Sequence, residues 1–357
     1  MPHNNKHAER DWASLPLLPF WMIKDKLDMF DNLCVASVCR DWQSASSSYP
    51  KRLSVGDGMP WIMQMKNIFD CRVMEFVSIL RNKKFVLDLP ELFNSLLLYS
   101  KQGWLLMRCR KVSKRRNRCP DSLFLINPFT RAKIEMPDAV YISQEYHGSF
   151  STCNGYPERV VLLNCCLFGQ MTLCTAFPGD LSWTKYSYVG HPMQIDGRCG
   201  LITIGEKLYY LNFKENMIIF DMATNEWKEL PGPRNEIGYT YIVEYEKKII
   251  KLFYSTHEHS HSFYSYNDVD FLWEKLNIDD MKNTSWYLSR NTSCFTAKDK
   301  GVKVFQPALK YGGECDHHGF HMSYGFDIVS HDLIEGGKQT LELLCRISSL
   351  ARWVDIG

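Results

Sequence analysis

A tryptophan repeat in the second half of the chain limits its possible folds more than any other feature. Trp183, Trp227 and Trp273 are 44 and 46 residues apart, and each is followed three positions later by an apolar residue. Apolar or aromatic residues also stand seven and nine positions before the last two, which indicates a half-buried strand, a turn and a further strand. Lys133, 50 residues before Trp183, is flanked in the same way. A strand-based period of 44 to 50 residues is typical of β-propeller blades.

The repeat also predicts a turn at a fixed place in each copy. Asn127, Asp221 and Asn267 lie six positions before repeat positions 133, 227 and 273. Asn and Asp favour turns because their side chains accept hydrogen bonds from the backbone just ahead of them. The copy around Trp183 is looser and has Phe177 at this position.

The number of blades follows from the length of the chain. One four-stranded blade cannot bury both of its faces, so blades must stack in a ring. About 290 residues follow the N-terminal segment, which allows roughly six blades at this period. Two stacked sandwiches are the alternative, but the regular period favours the propeller. The sequence therefore predicts a mainly β fold, with a propeller over residues 60–357. Further strand-like runs support it at residues 83–89, 103–108, 159–166, 207–212 and 247–254.

Residues 12–50 have a helical pattern instead. Leu18 and Met22 recur at helical spacing, and Asp31 or Asn32 is expected to cap a second helix that continues through Trp42. Two or three helices this short bury little apolar area alone, so they must pack on the following domain or on a partner. The pattern leaves both open, since the segment could equally be a cap on the large domain.

Two specific strings mark the ends of this helical segment. The segment opens with Leu15-Pro16 after Trp12-Ala13-Ser14 and closes with Val-Cys-Arg-Asp-Trp at residues 38–42. Together these strings resemble an F-box. Later in the chain, Asn-Pro-Phe-Thr-Arg at residues 127–131 resembles the large plant F-box family whose C-terminal part is a kelch-related β-propeller. The resemblance runs from about Trp12 to Trp353.

This resemblance implies a non-catalytic subunit of an SCF-type (Skp-cullin-F-box) E3 ubiquitin ligase. The helices would bind a Skp-type adaptor, and through it a cullin scaffold, while the propeller would bind a protein target for ubiquitination. No cofactor and no catalytic residue is implied. The residues expected to contact the adaptor are Leu15, Pro16, Ile23, Leu27, Leu33, Val38, Cys39 and Trp42. A propeller enzyme such as a glycan hydrolase and a protein-binding scaffold outside any ligase are the alternatives.

The charged residues and cysteines give expectations about partners and location. The formal net charge of +2 gives no general reason to expect nucleic acid or membrane binding. Seven basic residues fall within residues 108–118, of which Lys111, Lys114, Arg115 and Arg116 are candidates for nuclear import or an acidic partner. A solvated hairpin loop explains the same residues. Because the tract has no interleaved aromatics, it does not predict nucleic acid binding.

Thirteen cysteines without paired CxxC spacing suggest reduced thiols, so we expect a nuclear or cytoplasmic protein and not a secreted one. Two clusters contain metal-ligating residue types: His257, His259 and His261, and Cys315 with three histidines over residues 317–321. Neither has an established ligand spacing, so no metal site is predicted. The catalytic motifs GxSxG and HExxH and the phosphate-binding P-loop are also missing from the sequence.

Overall fold

The structure is a computed structural model in which the chain divides into two compact units, Met1–Gly58 with Gly357, and Met59–Ile356. Among the described residues, those of the first unit are mostly helical and those of the second are mostly in strands. Within the described part of the chain, no helix is long and apolar enough to span a membrane. The described residues are 12–27, 29–48, 61–67, 70–78, 83–109, 120–139, 146–165, 170–189, 200–211, 216–230, 238–281, 283–288, 295–298, 302–316, 319–333, 337–341, 347–348 and 352–354.

The first unit has three short helices that follow a 3₁₀ turn at Trp12–Ser14. They are α1 (Leu17–Lys24), α2 (Met29–Ala36) and α3 (Arg40–Ser47). Pro16 directly precedes α1, where its fixed φ suits a helix start and its missing N–H has no intrahelical acceptor to lose. Cys39 caps α3, because its Sγ accepts a hydrogen bond from the backbone N–H of Trp42 at 3.4 Å.

The predicted length of the second helix is wrong. We predicted a single helix through Trp42 with a cap at Asp31 or Asn32, but α2 begins earlier and the chain leaves the helix at residues 37–39. The Ser37 hydroxyl donates to a carbonyl in the last turn of α2 at 2.7 Å and so satisfies one of its free acceptors. The apolar positions continue across this break, which is why periodicity alone merged α2 and α3.

The second unit contains strands throughout, with short 3₁₀ turns at Pro90–Leu92 and Ile278–Met281. The strands in the described residues are β1 Trp61–Asn67, β2 Asp70–Ser78, β3 Lys83–Asp88, β4 Ser95–Lys101, β5 Trp104–Cys109, β6 Asp121–Ile126, β7 Lys133–Ala139, β8 His147–Cys153, β9 Tyr156–Cys165, β10 Gln170–Ala176, β11 Thr184–Val189, β12 Gly200–Ile204, β13 Lys207–Leu211, β14 Met217–Asp221, β15 Glu226–Leu230, β16 Gly238–Tyr245, β17 Lys248–Ser255, β18 His261–Asn267, β19 Leu272–Leu276, β20 Thr284–Tyr287, β21 Phe295–Lys298, β22 Val302–Asp316, β23 Gly319–Asp332, β24 Gly337–Leu341, β25 Ile347–Ser348 and β26 Arg352–Val354.

These strands form six sheets, which are the blades of a propeller. Blades 2 to 5 are antiparallel meanders of four consecutive strands: β4–β7, β8–β11, β12–β15 and β16–β19. Blade 6 has the order β21-β20-β22-β23-β24, with β25 beside β23, and blade 1 has the order β26-β1-β2-β3. The first strands of blades 2 to 5 contact one another in sequence, which places them next to the axis of the ring. The predicted mainly β propeller of about six blades is confirmed.

Apolar side chains fill the space between neighbouring blades. Phe76 of blade 1 and Met107 of blade 2 belong to one buried cluster, and Phe150 of blade 3 packs with residues of blade 2 in the next. Further clusters join blades 3 and 4, blades 4 and 5, and blades 5 and 6, where Trp286 is fully buried. Each of these clusters, formed by described residues, contains side chains of two blades, so neighbouring blades stabilise each other.

The repeat tryptophans have matching positions in blades 3, 4 and 5. Trp183 directly precedes β11, while Trp227 and Trp273 lie in β15 and β19, so each marks the fourth, outer strand of its blade. Trp183 donates from Nε1 to the carbonyl of Pro137, in the fourth strand of the preceding blade, at 3.0 Å. The Trp227 ring lies 5.0 Å from the ring of Tyr188, which belongs to the equivalent strand of blade 3. Their regular recurrence predicts packing between neighbouring sheets, and this is confirmed for all three, since Trp273 packs against the cluster that joins blades 4 and 5.

The predicted turns lie between the third and fourth strands of the blades. Oδ1 of Asn127 accepts hydrogen bonds from the backbone N–H groups two and three positions ahead, at 3.1 and 3.0 Å. Asp221 and Asn267 make the same two bonds in blades 4 and 5. The residue four positions after each has a positive φ, of 56°, 59° and 54° respectively. In each of these three blades, one Asn or Asp side chain therefore fixes the same type of turn.

Candidate functional site

The helical segment, residues 12–48, exposes a group of large apolar side chains. The exposed fractions are 67% for Leu18, 62% for Met22, 62% for Val38 and 60% for Trp12. Leu18 and Met22 are four residues apart in α1 and therefore share one face of that helix. Leu17 and Ile23 are also exposed. We call this group, Trp12, Leu17, Leu18, Met22, Ile23 and Val38, the apolar helical surface.

Aromatic residues inside the segment hold its helices together. Phe20 of α1 is buried and packs edge-on against Trp42 of α3, with ring centroids 5.3 Å apart. The indole of Trp42 donates to the carbonyl of Trp12 at 2.9 Å, and that of Trp21 donates to the carbonyl of Ala45 at 3.2 Å. Both bonds connect the start of the segment to its end, so the opening and closing motif strings form one structure.

The last turn of α1 contains Lys24, whose side chain is 7% exposed. Its Nζ lies 5.9 Å from the centroid of the Phe20 ring. Burial lowers the pKa of Lys24 from its ordinary value, because desolvation disfavours the ammonium form. A cation at this position also interacts favourably with the C-terminal end of the helix.

The structure places the residues expected to contact the adaptor in different environments. The four-residue spacing of Val38 and Trp42 predicts one shared helical face, but Val38 precedes α3, so this prediction is wrong. Leu17, Leu18 and Met22 were not among the expected contacts, although the helical spacing of the last two was visible in the sequence. Of the expected residues, Pro16, Ile23 and Val38 are exposed, Leu15, Leu27, Cys39 and Trp42 are half-buried, and the side chain of Leu33 lies outside the described residues.

The first strands of the blades pack closely around the propeller axis. The hydroxyl of Thr203 in β12 donates to that of Ser149 in β8 at 3.1 Å, and both residues are fully buried. A Cβ added at Gly200 would lie 2.4 Å from Ile242 of β16, so only glycine fits where β12 and β16 approach. Lys101 of β4 donates from Nζ to Oε2 of Glu244 in β16 at 2.6 Å. These described parts of the inner strands contact one another directly.

Two members of the histidine cluster at residues 257–261 contact a tyrosine. His259 Nδ1 and the Tyr254 hydroxyl are 3.1 Å apart, and the ring of His261 lies 4.8 Å from that of Tyr254. Burial raises the pKa of Tyr254, with a smaller contribution from Tyr239. Among the described residues there is no group of three or more side chains able to hold a metal ion. The side chains of Cys315 and His321, with His317 and His318, lie outside them.

Comparison with known proteins relates the propeller to a defined family. The model of the KIB1-4 beta-propeller matches residues 76–304, which is more than half of the chain. This chain belongs to the KIB1-4 β-propeller family. The match includes all of blades 2 to 5 and reaches into blades 1 and 6.

The relatives of this KIB1-4 propeller protein include F-box proteins of Arabidopsis thaliana. An F-box/kelch-repeat protein is 27% identical over 239 residues, covering 65% of this chain and 63% of that protein. One F-box protein is 27% identical over 371 residues, covering 99% and 88%, and another is 26% identical over 295 residues, covering 77% and 56%. This chain thus spans less than two thirds of the length of the F-box/kelch-repeat protein and of the second F-box protein. The expected resemblance to plant F-box proteins with a β-propeller is confirmed.

Among solved structures, the β-propeller domain of the Trilobed protease from Pyrococcus furiosus aligns with a TM-score of 0.38 and 14% identity. The alignment covers 69% of this chain and 70% of that one. Likeness at this level does not bear on the function of the KIB1-4 propeller.

The basic tract of the KIB1-4 propeller begins later than its sequence suggests. Lys111, Lys114, Arg115 and Arg116 lie outside the described residues, in the segment between β5 and β6. Arg108, which we had counted within an exposed tract, is only 7% exposed in β5. Arg108 forms an ion pair with Asp121 of β6 at 2.5 Å, and its Cζ lies 4.4 Å from the ring centroid of Tyr146. This arginine therefore belongs to the structure of blade 2, and the expectation that it is exposed is wrong.

Proposed function

We propose that this chain is the substrate-recognition subunit of an SCF-type E3 ubiquitin ligase. In this proposal the helical segment binds a Skp-type adaptor, which connects it to a cullin scaffold, and the propeller binds a protein target. The apolar helical surface is the observation that carries the proposal. It lies on a segment with the F-box motif strings, in a chain whose relatives are named F-box proteins.

The physical argument concerns how much apolar surface a small unit can leave in water. Each of α1, α2 and α3 has eight residues, and isolated helices of this length are marginal in water. Burying a side chain such as Leu18 or Met22 stabilises a complex by about 1.5 to 3 kcal/mol. A partner that covers several of these residues together would gain most of its affinity from them, as apolar anchors do at other interfaces.

A ligase subunit of this kind performs no bond chemistry of its own. It raises the local concentration of target lysines near a charged ubiquitin carrier, so the acceleration comes from proximity and orientation. The chain must then supply two binding surfaces on well-ordered elements. The helical segment and the propeller are the two elements that this proposal assigns to those roles.

A propeller enzyme, our first alternative, would need reactive groups converging at the axis. In the described inner strands, the axial position is instead occupied by Lys101 and Glu244, which pair with each other, and by packed residues such as Ser149 and Thr203. This arrangement favours recognition on the propeller surface. A scaffold outside any ligase, our second alternative, differs only in lacking the adaptor.

The proposed place of action is the nucleus, the cytoplasm or both, where SCF-type ligases would meet their adaptor. Within this proposal, Lys111, Lys114, Arg115 and Arg116 serve as an import signal or contact an acidic partner. Replacement of three of these residues, described in the Discussion, tests this part separately.

The test is a binding titration with a purified Skp-type adaptor. The Leu18→Ser, Met22→Ser double variant should bind at least tenfold more weakly than the intact chain, a loss of about 1.4 kcal/mol. Both residues are exposed, so their replacement should leave the fold unchanged. The matched control is Leu181→Ser with Val269→Ser, which removes two apolar residues of the propeller that are 98% and 82% exposed.

The control variant should bind the adaptor within about twofold of the intact chain, since surface changes away from an interface have small effects. Equal affinity of the Leu18→Ser, Met22→Ser variant and the intact chain would remove the apolar helical surface from the interface. Failure of the intact chain itself to bind would rule out the ligase and leave the scaffold and the enzyme.

A further inference from the structure

One ion pair connects blades that are not neighbours. Lys101 is the last residue of β4 in blade 2, and Glu244 lies near the end of β16 in blade 5. In a ring of six blades these two are opposite, with blades 3 and 4 between them on one side and blades 6 and 1 on the other. The Nζ–Oε2 distance is 2.6 Å, so the pair spans the axis directly.

The surroundings of the pair make it more stable than an ordinary surface contact. The side chains of Lys101 and Glu244 are 15% and 28% exposed, and each residue directly follows a fully buried one, Ser100 and Val243 respectively. Reduced contact with water strengthens the attraction between the charges, and anchored strands lower the entropy lost in bringing them together.

In the described part of the chain, the C-terminal strand β26 completes blade 1 and so closes the ring. β26 pairs with β1 through three residue pairs, Trp61 with Val354, Ile62 with Trp353 and Met63 with Arg352. By contrast, β16 and β17 inside blade 5 pair over eight residues. A short closing strand offers few hydrogen bonds to hold blade 1 to the end of the chain, so the β1–β26 pairing is a weak point of the ring.

We infer that the Lys101–Glu244 pair is an axial clasp that opposes opening of the ring at the β1–β26 pairing. Separation of β26 from β1 lets the arc formed by blades 2, 3, 4 and 5 spread. Spreading of that arc moves blade 2 away from blade 5 and must break the ion pair. The clasp and the closing strand therefore resist the same motion, although they lie in different parts of the ring.

Hydrogen exchange of the intact chain tests the clasp, because amide exchange in a local opening event follows the free energy of that opening. Lys101→Met removes the charge and keeps the length of the side chain. Among Trp61, Ile62 and Met63, the amides that donate to β26 should then exchange about fivefold faster, which corresponds to about 1 kcal/mol. Amides of β9 and β10, in the middle of blade 3, should exchange at the same rate in both proteins.

The control is Lys207→Met, which removes an ion pair of similar length, 2.9 Å to Asp268, between the adjacent blades 4 and 5. It should leave exchange in β1 unchanged, since adjacent blades stay together when the ring opens. The exchanged pair Lys101→Glu with Glu244→Lys should restore most of the protection that Lys101→Met removes. Unchanged exchange in β1 of Lys101→Met, or an equal increase in Lys207→Met, would overturn the inference.

Discussion

Single residues determine how tightly the outer strands of neighbouring blades are joined, and Trp227 is the clearest example. Its ring lies 4.4 Å from Phe220 in its own blade and 5.0 Å from Tyr188 in blade 3. The Tyr188 hydroxyl donates to Oε2 of Glu229, in the same strand as Trp227, at 2.9 Å. One tryptophan and one hydroxyl thus connect the fourth strands of blades 3 and 4.

Replacement of Trp227 tests this connection. Trp227→Ala should lower the free energy of unfolding by about 2 to 3 kcal/mol, below the usual loss for a fully buried aromatic because the ring is only half-buried. Trp227→Phe keeps part of the ring contact and should lose about half as much. Urea denaturation of the three proteins measures both values. A loss under about 0.5 kcal/mol for the alanine variant would contradict the packing role.

Because of Tyr188, we expect the stability of the propeller to change with pH in the alkaline range. Burial, together with the hydrogen bond to Glu229 and its negative charge, raises the pKa of Tyr188 from 10 to about 12. In the unfolded chain the hydroxyl ionises near pH 10, so the folded state holds its proton more tightly. The resulting stabilisation is complete below pH 10 and is lost as the pH rises to about 12.

We therefore expect the free energy of unfolding to fall less steeply with pH for Tyr188→Phe than for the intact chain. The measurement covers about pH 9 to 12, which includes the unfolded and folded pKa values of Tyr188, 10 and about 12. Tyr209 and Tyr266 also have raised pKa values, so some dependence remains in the variant. Tyr156→Phe, which changes a half-exposed ring elsewhere, serves as the control and should behave like the intact chain. Identical slopes for Tyr188→Phe and the intact chain would be the contrary result.

At the scale of elements, the turns between third and fourth strands follow directly from the sequence. Asn127, Asp221 and Asn267 were selected by spacing alone, and all three accept the expected backbone hydrogen bonds. Local chemistry decides these turns, which is why one sequence suffices to find them. The break between α2 and α3 depends on Cys39, whose thiol caps α3. Cysteine is not among the residues that usually cap helices, so the sequence pattern did not predict this break.

The turn residues are open to a direct test. Asp221→Ala removes the acceptor of two backbone N–H groups and should cost about 1 kcal/mol of unfolding free energy. Asp221→Asn retains an acceptor oxygen and should stay within about 0.5 kcal/mol of the intact chain. Thermal or urea unfolding distinguishes them. Equal stability of the alanine and asparagine variants would mean that the side chain does not fix the turn.

The role of the basic tract, between β5 and β6, can be tested by substitution. Replacing Lys114, Arg115 and Arg116 by Ser should change the melting temperature by no more than about 2 °C, because the sequence predicts a solvated tract and substitutions of solvated residues have small effects. Imaging of a fluorescent fusion reports import. Loss of nuclear accumulation at unchanged stability supports a signal, and unchanged accumulation supports a solvated loop.

At the scale of the whole molecule, the period of the repeat predicts the ring but not how it closes. Strand patterns are local, so Trp227 and its neighbours reveal a blade without any knowledge of the others. The pairing of β26 with β1 and the pair Lys101–Glu244 join residues far apart in the chain. Charged residues carry no periodic signal, and nothing in the sequence links these two before the blades are placed.

The helical segment shows the same limit. The motif strings predicted an interface on this segment, and Ile23 and Val38 are indeed exposed. The exposure of Leu18 and the internal position of Trp42, which donates to the carbonyl of Trp12, depend on how three helices pack. A periodic pattern states that a face is apolar and leaves open whether that face turns inward or outward.

Affinity capture of the intact chain from plant cells, followed by mass spectrometry, tests the central claim most directly. The comparison is with the Leu15→Ala, Pro16→Ala variant, in which the opening motif string of the helical segment is changed. The account predicts that a Skp-type adaptor and a cullin are recovered with the intact chain and fall at least tenfold with the variant, while propeller-bound target proteins are recovered equally with both. Equal recovery of the adaptor with both proteins, or no adaptor with the intact chain, would contradict it.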